Sequence, residues 1–200
     1  MSLIAQTTIS FPTTAFPPLA VGFFGLGTGY LIWGPQELLG FPTRTRQVDL
    51  SNGLWGIWMP GFMQFVAGMY LFAALVIFHS IRTPALYTAA LAFTAFGVHW
   101  FALGMGRALG ADGRPNGYMC MAFFLIALLG TISFFGNHDS YVAGVFIGLM
   151  CVYVSEFLSS FGVPNAERVL GAFRILTGLL LIYLTFAVVL DFANGYTLPT

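Results

Sequence analysis

The chain has 200 residues, of which 58% are hydrophobic, 17% aromatic and only 7% charged, with a mean hydropathy of +0.86. A soluble domain of this size must present a largely polar surface, so the composition excludes one and points to lipid, where only helices or a closed barrel satisfy the backbone. The formal net charge is zero, which argues against nucleic acid as a partner, and all seven basic residues are Arg.

At about 20 residues for each crossing, the length accommodates one transmembrane domain, residues 1–200, with roughly six spans. Residues 1–18 lack a basic n-region and do not read as a cleavable signal peptide. The first span is expected over 15–33, opening at Phe16-Pro17-Pro18, where proline suits a helix's first turn. A polar loop with Glu37, Arg44, Arg46 and Asp49 follows, then a span over 53–79 that Pro60-Gly61 should kink. The third span, 85–109, starts after Arg82-Thr83-Pro84, and the loop 110–117 leads to a fourth over 118–135. The fifth runs over 141–161, and the turn Gly162-Val163-Pro164-Asn165 precedes the sixth, 169–190. Connections this short imply antiparallel neighbours in an all-α integral membrane bundle.

Arg44, Arg46, Arg107, Arg114 and Arg168 flank the odd loops, against Arg82 alone on the other side. The positive-inside rule then makes the odd loops cytoplasmic and both termini external. Gly144 and Gly148 form a GxxxG of the kind that packs membrane helices. Gly22, Gly25 and Gly27 weaken the first span more than packing requires, and suggest a segment that lines a path.

Ionisable groups inside a bilayer are costly and mark function or pairing. Glu156 and Arg174 are equidistant from the turn at Asn165, so a hairpin sets them at one depth as an ion pair. The pair reads as a clamp between the last two spans, or as an anion attractor built on Arg174. His99 is central in the third span and titrates in the range useful for proton coupling. No two His share a depth, which disfavours haem, and no metal cluster, nucleotide loop or nucleophile–base pair is visible. The expectation is therefore no enzyme, no catalytic residue and no cofactor. Gln64, Thr94 and Thr131 supply neutral hydrogen-bonding groups within spans.

Several short motifs occur in collinear order: Pro18-Leu19 with Phe24-Gly25, Gln64-Phe65-Val66-Ala67-Gly68, Ala92-Phe93-Thr94-Ala95-Phe96-Gly97 with Trp100, Phe134-Phe135-Gly136, and Tyr183. Together they resemble the signatures of the acetate uptake transporter family, the succinate–acetate permease-like proteins. The resemblance implies a six-transmembrane-helix protomer with an internal pore, urea-channel-like in architecture and assembled as a homohexamer in the bacterial inner (plasma) membrane, with cytoplasmic termini. It implies passage of acetate or related small monocarboxylates, channel-like or proton-linked. Carried over residue by residue, the pore constriction falls on Phe24, Phe96 and Met150 or Cys151. Pro18, Leu19, Gly25, Gln64 and Thr94 become pore-lining or substrate-binding positions. The chain departs from the family pattern where Phe96 replaces a Tyr, and His99, Glu156 and Arg174 lie outside its motifs. Those departures keep two alternatives in view, a non-transporting membrane scaffold and a channel for a small neutral solute such as ammonia, urea or CO2.

Overall fold

The computed structural model describes residues 16–199, and all regular structure among them is helical. Helix α1 covers Phe16–Leu39, α2 Arg46–Ile77, α3 Ala85–Leu109, α4 Arg114–Gly136, α5 Ser140–Ser160 and α6 Ala166–Asn194. Helices α2 to α6 are each long and apolar enough to cross a membrane. Helix α1, with 24 residues, is also long enough for a crossing. Large apolar side chains such as Trp58, Leu125, Ile132, Leu176 and Phe186 face outward. That inverts the habit of soluble proteins and makes this an integral membrane protein.

The helix ends differ from expectation where side chains intervene. Helix α1 runs past Trp33 to Leu39, even through Pro35, because Gln36 and Glu37 in its last turn are held by buried polar partners. Helix α2 starts seven residues early, at Arg46, where Thr45 caps it by accepting a hydrogen bond from the Val48 N–H at 3.2 Å. Asp49 sits in that first turn, so Glu37, Arg46 and Asp49 are helical rather than loop residues. Pro60, which has no N–H to donate, lies in a π-helical stretch, Ile57–Phe62, and a second follows at Ala73–Ile77. Asp139 caps α5 through the Val142 N–H at 2.9 Å. Burial raises its carboxyl pKa, against the opposing effect of the backbone N–H bonds it accepts.

Each helix packs on its chain neighbours, and α1 returns against α6 to close a ring. The residues that α1 turns inward, Leu19, Phe23, Leu26, Tyr30, Trp33 and Glu37, recur at alternating intervals of four and three. That stripe is one face of a helix, and it runs the whole length of the ring's interior. Helices α3, α5 and α6 supply Phe96, Tyr153 and Leu181 from other sides.

Glycines set how tightly the ring closes. A Cβ built on Gly53 would lie 2.5 Å from the Gly104 carbonyl oxygen, and one on Gly104 would lie 2.5 Å from that of Gly53. The α1 glycines pack in the same way, which overturns their reading as path-lining. Cβ atoms there would lie 2.4 Å from the Phe93 ring at Gly22 and 2.6 Å from the Met59 carbonyl at Gly25. In the GxxxG of α5, Gly148 is tight, with Thr177 Oγ1 at 2.3 Å, while Gly144 has only Leu180 at 3.8 Å. Gly104→Ala should therefore force α2 and α3 apart and cost about 1–3 kcal/mol. Gly106→Ala, whose nearest neighbour would be Ala111 at 3.8 Å, should be neutral or stabilising. Thermal unfolding of both proteins in detergent checks the pair, and equal stability would rule out the close approach as a constraint.

Candidate functional site

The ring's interior divides into three levels. At the end carrying the α1–α2, α3–α4 and α5–α6 loops, a vestibule of about 490 Å³ is lined by Trp33, Glu37, Arg107, Asn116, Glu156 and Arg174 among others. Asp112 stands on its rim, where hydrogen bonds from Arg114 hold the carboxyl down to about 2. Its charge therefore persists across the physiological pH range.

Arg174 forms the floor. Its Nη2 lies 3.0 Å from Glu156 Oε2, and its Nη1 pairs with Glu37, so one guanidinium serves two carboxylates from α1 and α5. All three side chains are buried. The guanidinium also lies 5.3 Å from the Trp33 ring, 5.8 Å from Trp100 and 6.0 Å from Tyr30, a tethered cation among aromatic faces. Beside it, Arg107 stands 4.3 Å above Trp33, bonds Asp49 at 3.1 Å and pairs with Gln36. Gln36 in turn donates to the Pro42 carbonyl at 2.9 Å and accepts from Asn52 at 3.0 Å, tying the first loop to the floor.

Asn116 links this floor to the level below. Its Nδ2 donates to Glu156 Oε1 at 2.9 Å, and its Oδ1 lies 2.7 Å from His99 Nε2. Glu156, ion-paired with Arg174, can only accept, which fixes the amide's orientation. Asn116 Oδ1 must then accept, so His99 carries its proton on Nε2. Its Nδ1 is buried without a hydrogen-bond partner among the described residues.

The middle level is a plug of rings. His99 stacks on Phe123 at 4.4 Å, Phe123 on Tyr153 at 5.5 Å, and Phe96 lies 5.6 and 5.7 Å from Phe123 and Tyr153. Trp100 adds contacts to Trp33 at 4.8 Å and Tyr30 at 5.9 Å. Beyond Phe96 comes a small cavity of about 20 Å³, room for about one water molecule. Its lining includes Leu19, Phe23, Leu26, Phe93, Leu149 and Gln64. Gln64 is fully buried there, and neither amide atom has a hydrogen-bond partner among the described residues.

The structure brings Phe96, Leu19 and Gln64 to the axis, with His99, Glu156 and Arg174 beside it. Other expected positions lie elsewhere. Phe24 is 40% exposed on the outer face of α1, and Phe23, one residue earlier on the inward stripe, lines the cavity instead. Met150 and Cys151 are half-buried; Met150 meets Thr131 Oγ1 at 3.6 Å between α4 and α5, and Leu149 and Tyr153 hold the inward positions. Thr94 spends its hydroxyl on the Ala90 carbonyl at 2.8 Å and packs on Gly68. Gly25 is a helix contact, and Pro18 is half-buried in the first turn of α1. Glu37, Asn116, Phe123 and Tyr153 went unanticipated. Asn116 was open to the hairpin argument used for Glu156 and Arg174, because Asn116 and Glu156 are equidistant from Gly136. Among the described residues, no three His, Cys, Asp or Glu side chains gather as metal ligands.

No protein-family model matches the chain, and no curated protein sequence matches it. A solved structure does: the bacterial acetate channel SatP superposes with a TM-score of 0.71 over 90% of this chain and 96% of that one, at 19% identity. The resemblance to acetate uptake transporters therefore holds at the level of the fold.

Proposed function

We infer that this protein is a membrane channel or transporter that passes small monocarboxylates, acetate among them, along the axis of each protomer. All six helices, α1 included, cross the bilayer once, in the bacterial inner membrane. The observation that carries the reading is the axial series of vestibule, polar floor, aromatic neck and small cavity, inside a ring that shares its fold with an acetate channel. In this reading Phe96, Phe123 and Tyr153 form the constriction and Gln64 is the polar contact beyond it. His99, Glu156 and Arg174 shape the charge at the entrance.

Charge indicates the form that passes. Arg174 faces two carboxylates, so its attraction for an incoming anion is offset where it would matter. An apolar neck adds the desolvation cost of a bare carboxylate. Both favour the neutral acid as the permeant, which makes acid movement equivalent to proton-linked uptake. The same two facts favour a neutral-solute channel as the second reading.

Uptake of labelled acetate into proteoliposomes, with and without an inward proton gradient, tests the proposal once permeation of empty liposomes is subtracted. Protein-dependent uptake that the gradient increases is the expected result. Folded protein that adds nothing to the background would leave the scaffold reading, which the tightly packed rings of the neck favour.

A further inference from the structure

The vestibule floor is unbalanced in charge. Arg174 faces two carboxylates, Glu37 from α1 and Glu156 from α5, and all three side chains are at most 8% exposed. The other cations lining the vestibule, Arg44 and Arg107, are already engaged. Arg107 of α3 acts on Glu37 across the floor but bonds Asp49 of α2 at 3.1 Å. Arg44 stands at the mouth, 3.5 Å from Glu167 of α6 and 3.3 Å from Asp49. On the rim, Asp112 is matched by Arg114 at the start of α4. Tyr30 of α1 is uncharged, and so is His99 of α3, which donates from Nε2 to Asn116 and keeps a bare Nδ1. Glu37, Asp49, Glu156 and Glu167 therefore meet Arg44, Arg107 and Arg174, with one negative charge in excess.

A buried charge without a counter-charge is costly, and a single proton removes it. The hydrogen bonds show which oxygen is free to take one. Glu156 accepts on both of its oxygens, from Asn116 Nδ2 at 2.9 Å and from Arg174 Nη2 at 3.0 Å. Glu37 gives Oε1 to Arg174, while its Oε2 has no hydrogen-bond partner among the described residues. A proton on Glu37 Oε2 therefore breaks no existing bond. Glu37 also lines the vestibule, whose volume of about 490 Å³ has room for a small solute together with water.

We propose that the Glu37–Arg174–Glu156 triad stores one exchangeable proton, on Glu37, and passes it to a carboxylate that arrives in the vestibule. This rests on the transport reading above and names the donor that turns the anion into the acid able to cross the neck. In the step the O–H bond of Glu37 breaks and an O–H bond forms on the solute's carboxylate. Glu37 is left ionised against Arg174, and vestibule water returns a proton to it. The charge of the floor orders these events. With the proton in place the floor is neutral and admits an anion; without it, the excess negative charge repels the next anion until a proton returns.

Infrared difference spectra of the purified protein between about pH 8 and 5 test the store without relying on transport. Wild type should gain the carbonyl band of a protonated carboxyl on acidification. Glu37→Gln and Glu156→Gln should each abolish that band, because either one leaves a single carboxylate to a single guanidinium. Labelled acetate in proteoliposomes, with empty-liposome background subtracted, tests the donor. Wild-type flux should fall less than about tenfold for each pH unit above the acid's own pKa, since the triad supplies protons. Both variants should follow the protonated fraction, about tenfold for each unit, and lie at least about fivefold below wild type at neutral pH. Near the acid's pKa they should stay within about twofold of it, whereas loss of a merely structural pair would lower flux alike at every pH. A wild-type protein without the band, or a band that persists in either variant, overturns the inference whatever the flux. Wild-type flux that itself follows the protonated fraction overturns it and leaves transport standing. If folded wild-type protein carries no acetate, the transport reading falls and this inference with it.

Discussion

Arg174→Met should be among the most destabilising single substitutions in this protein, at about 3–5 kcal/mol, because it strands two buried carboxylates. Glu37 and Glu156 reach Arg174 from α1 and α5, so the guanidinium joins three helices that meet around the ring. Its loss also empties the space among Trp33, Trp100 and Tyr30. Glu156→Gln should be milder than a lone ion pair would suggest, since Glu37 still pairs with Arg174 and the amide can still accept from Asn116. The decisive comparison is the triple variant Arg174→Met, Glu37→Gln, Glu156→Gln. Removing all three charges together should recover most of the stability, as apolar replacement of buried ion networks does elsewhere. Unfolding in detergent followed by circular dichroism measures the series. An Arg174→Met protein as stable as wild type would mean that the triad contributes nothing to holding the ring.

The pairing of Glu156 with Arg174 was legible because it needed only a turn and two equal arms. Glu37 was not, for a physical reason. Gly34-Pro35 reads locally as a helix stop, and only the tertiary partners of Gln36 and Glu37 carry α1 through it to Leu39. Once the helix is extended, Glu37 falls on the stripe that begins at Leu19. The same stripe separates Phe23 from Phe24. Motif resemblance selected Phe24, while helical phase selects its neighbour, because adjacent residues point about 100° apart. Leu149 and Tyr153 displace Met150 and Cys151 by the same logic. Six apolar segments and their order could be read from hydropathy and turn residues alone. Which aromatic faces the axis depends on rotation about each helix, and uniformly apolar helices carry little amphipathic signal to fix it.

Phe96 is where that rotation is settled by both sequence and structure, and Phe96→Ala should have the largest effect on flux. The ring contacts Phe123 and Tyr153 in the neck and borders the Gln64 cavity, so on the proposed axial route it separates the two levels. Each aromatic pair contributes about 0.5–1.5 kcal/mol beyond burial, and opening the neck must break such contacts. Deleting the ring removes two pairs from that barrier, which corresponds to on the order of a tenfold rise in flux or more. It should also relax size selection, so that propionate and butyrate approach the rate of acetate. The substitution costs about 3–5 kcal/mol as a core cavity. Phe96→Leu, which keeps more volume, therefore belongs in the series as a folded intermediate with an intermediate rate. The measurement is uptake of the three labelled acids into proteoliposomes, normalised to folded protein. Unchanged flux and unchanged size preference in both variants would show that the neck lies off the path, and would move the route away from the axis that Phe96 closes.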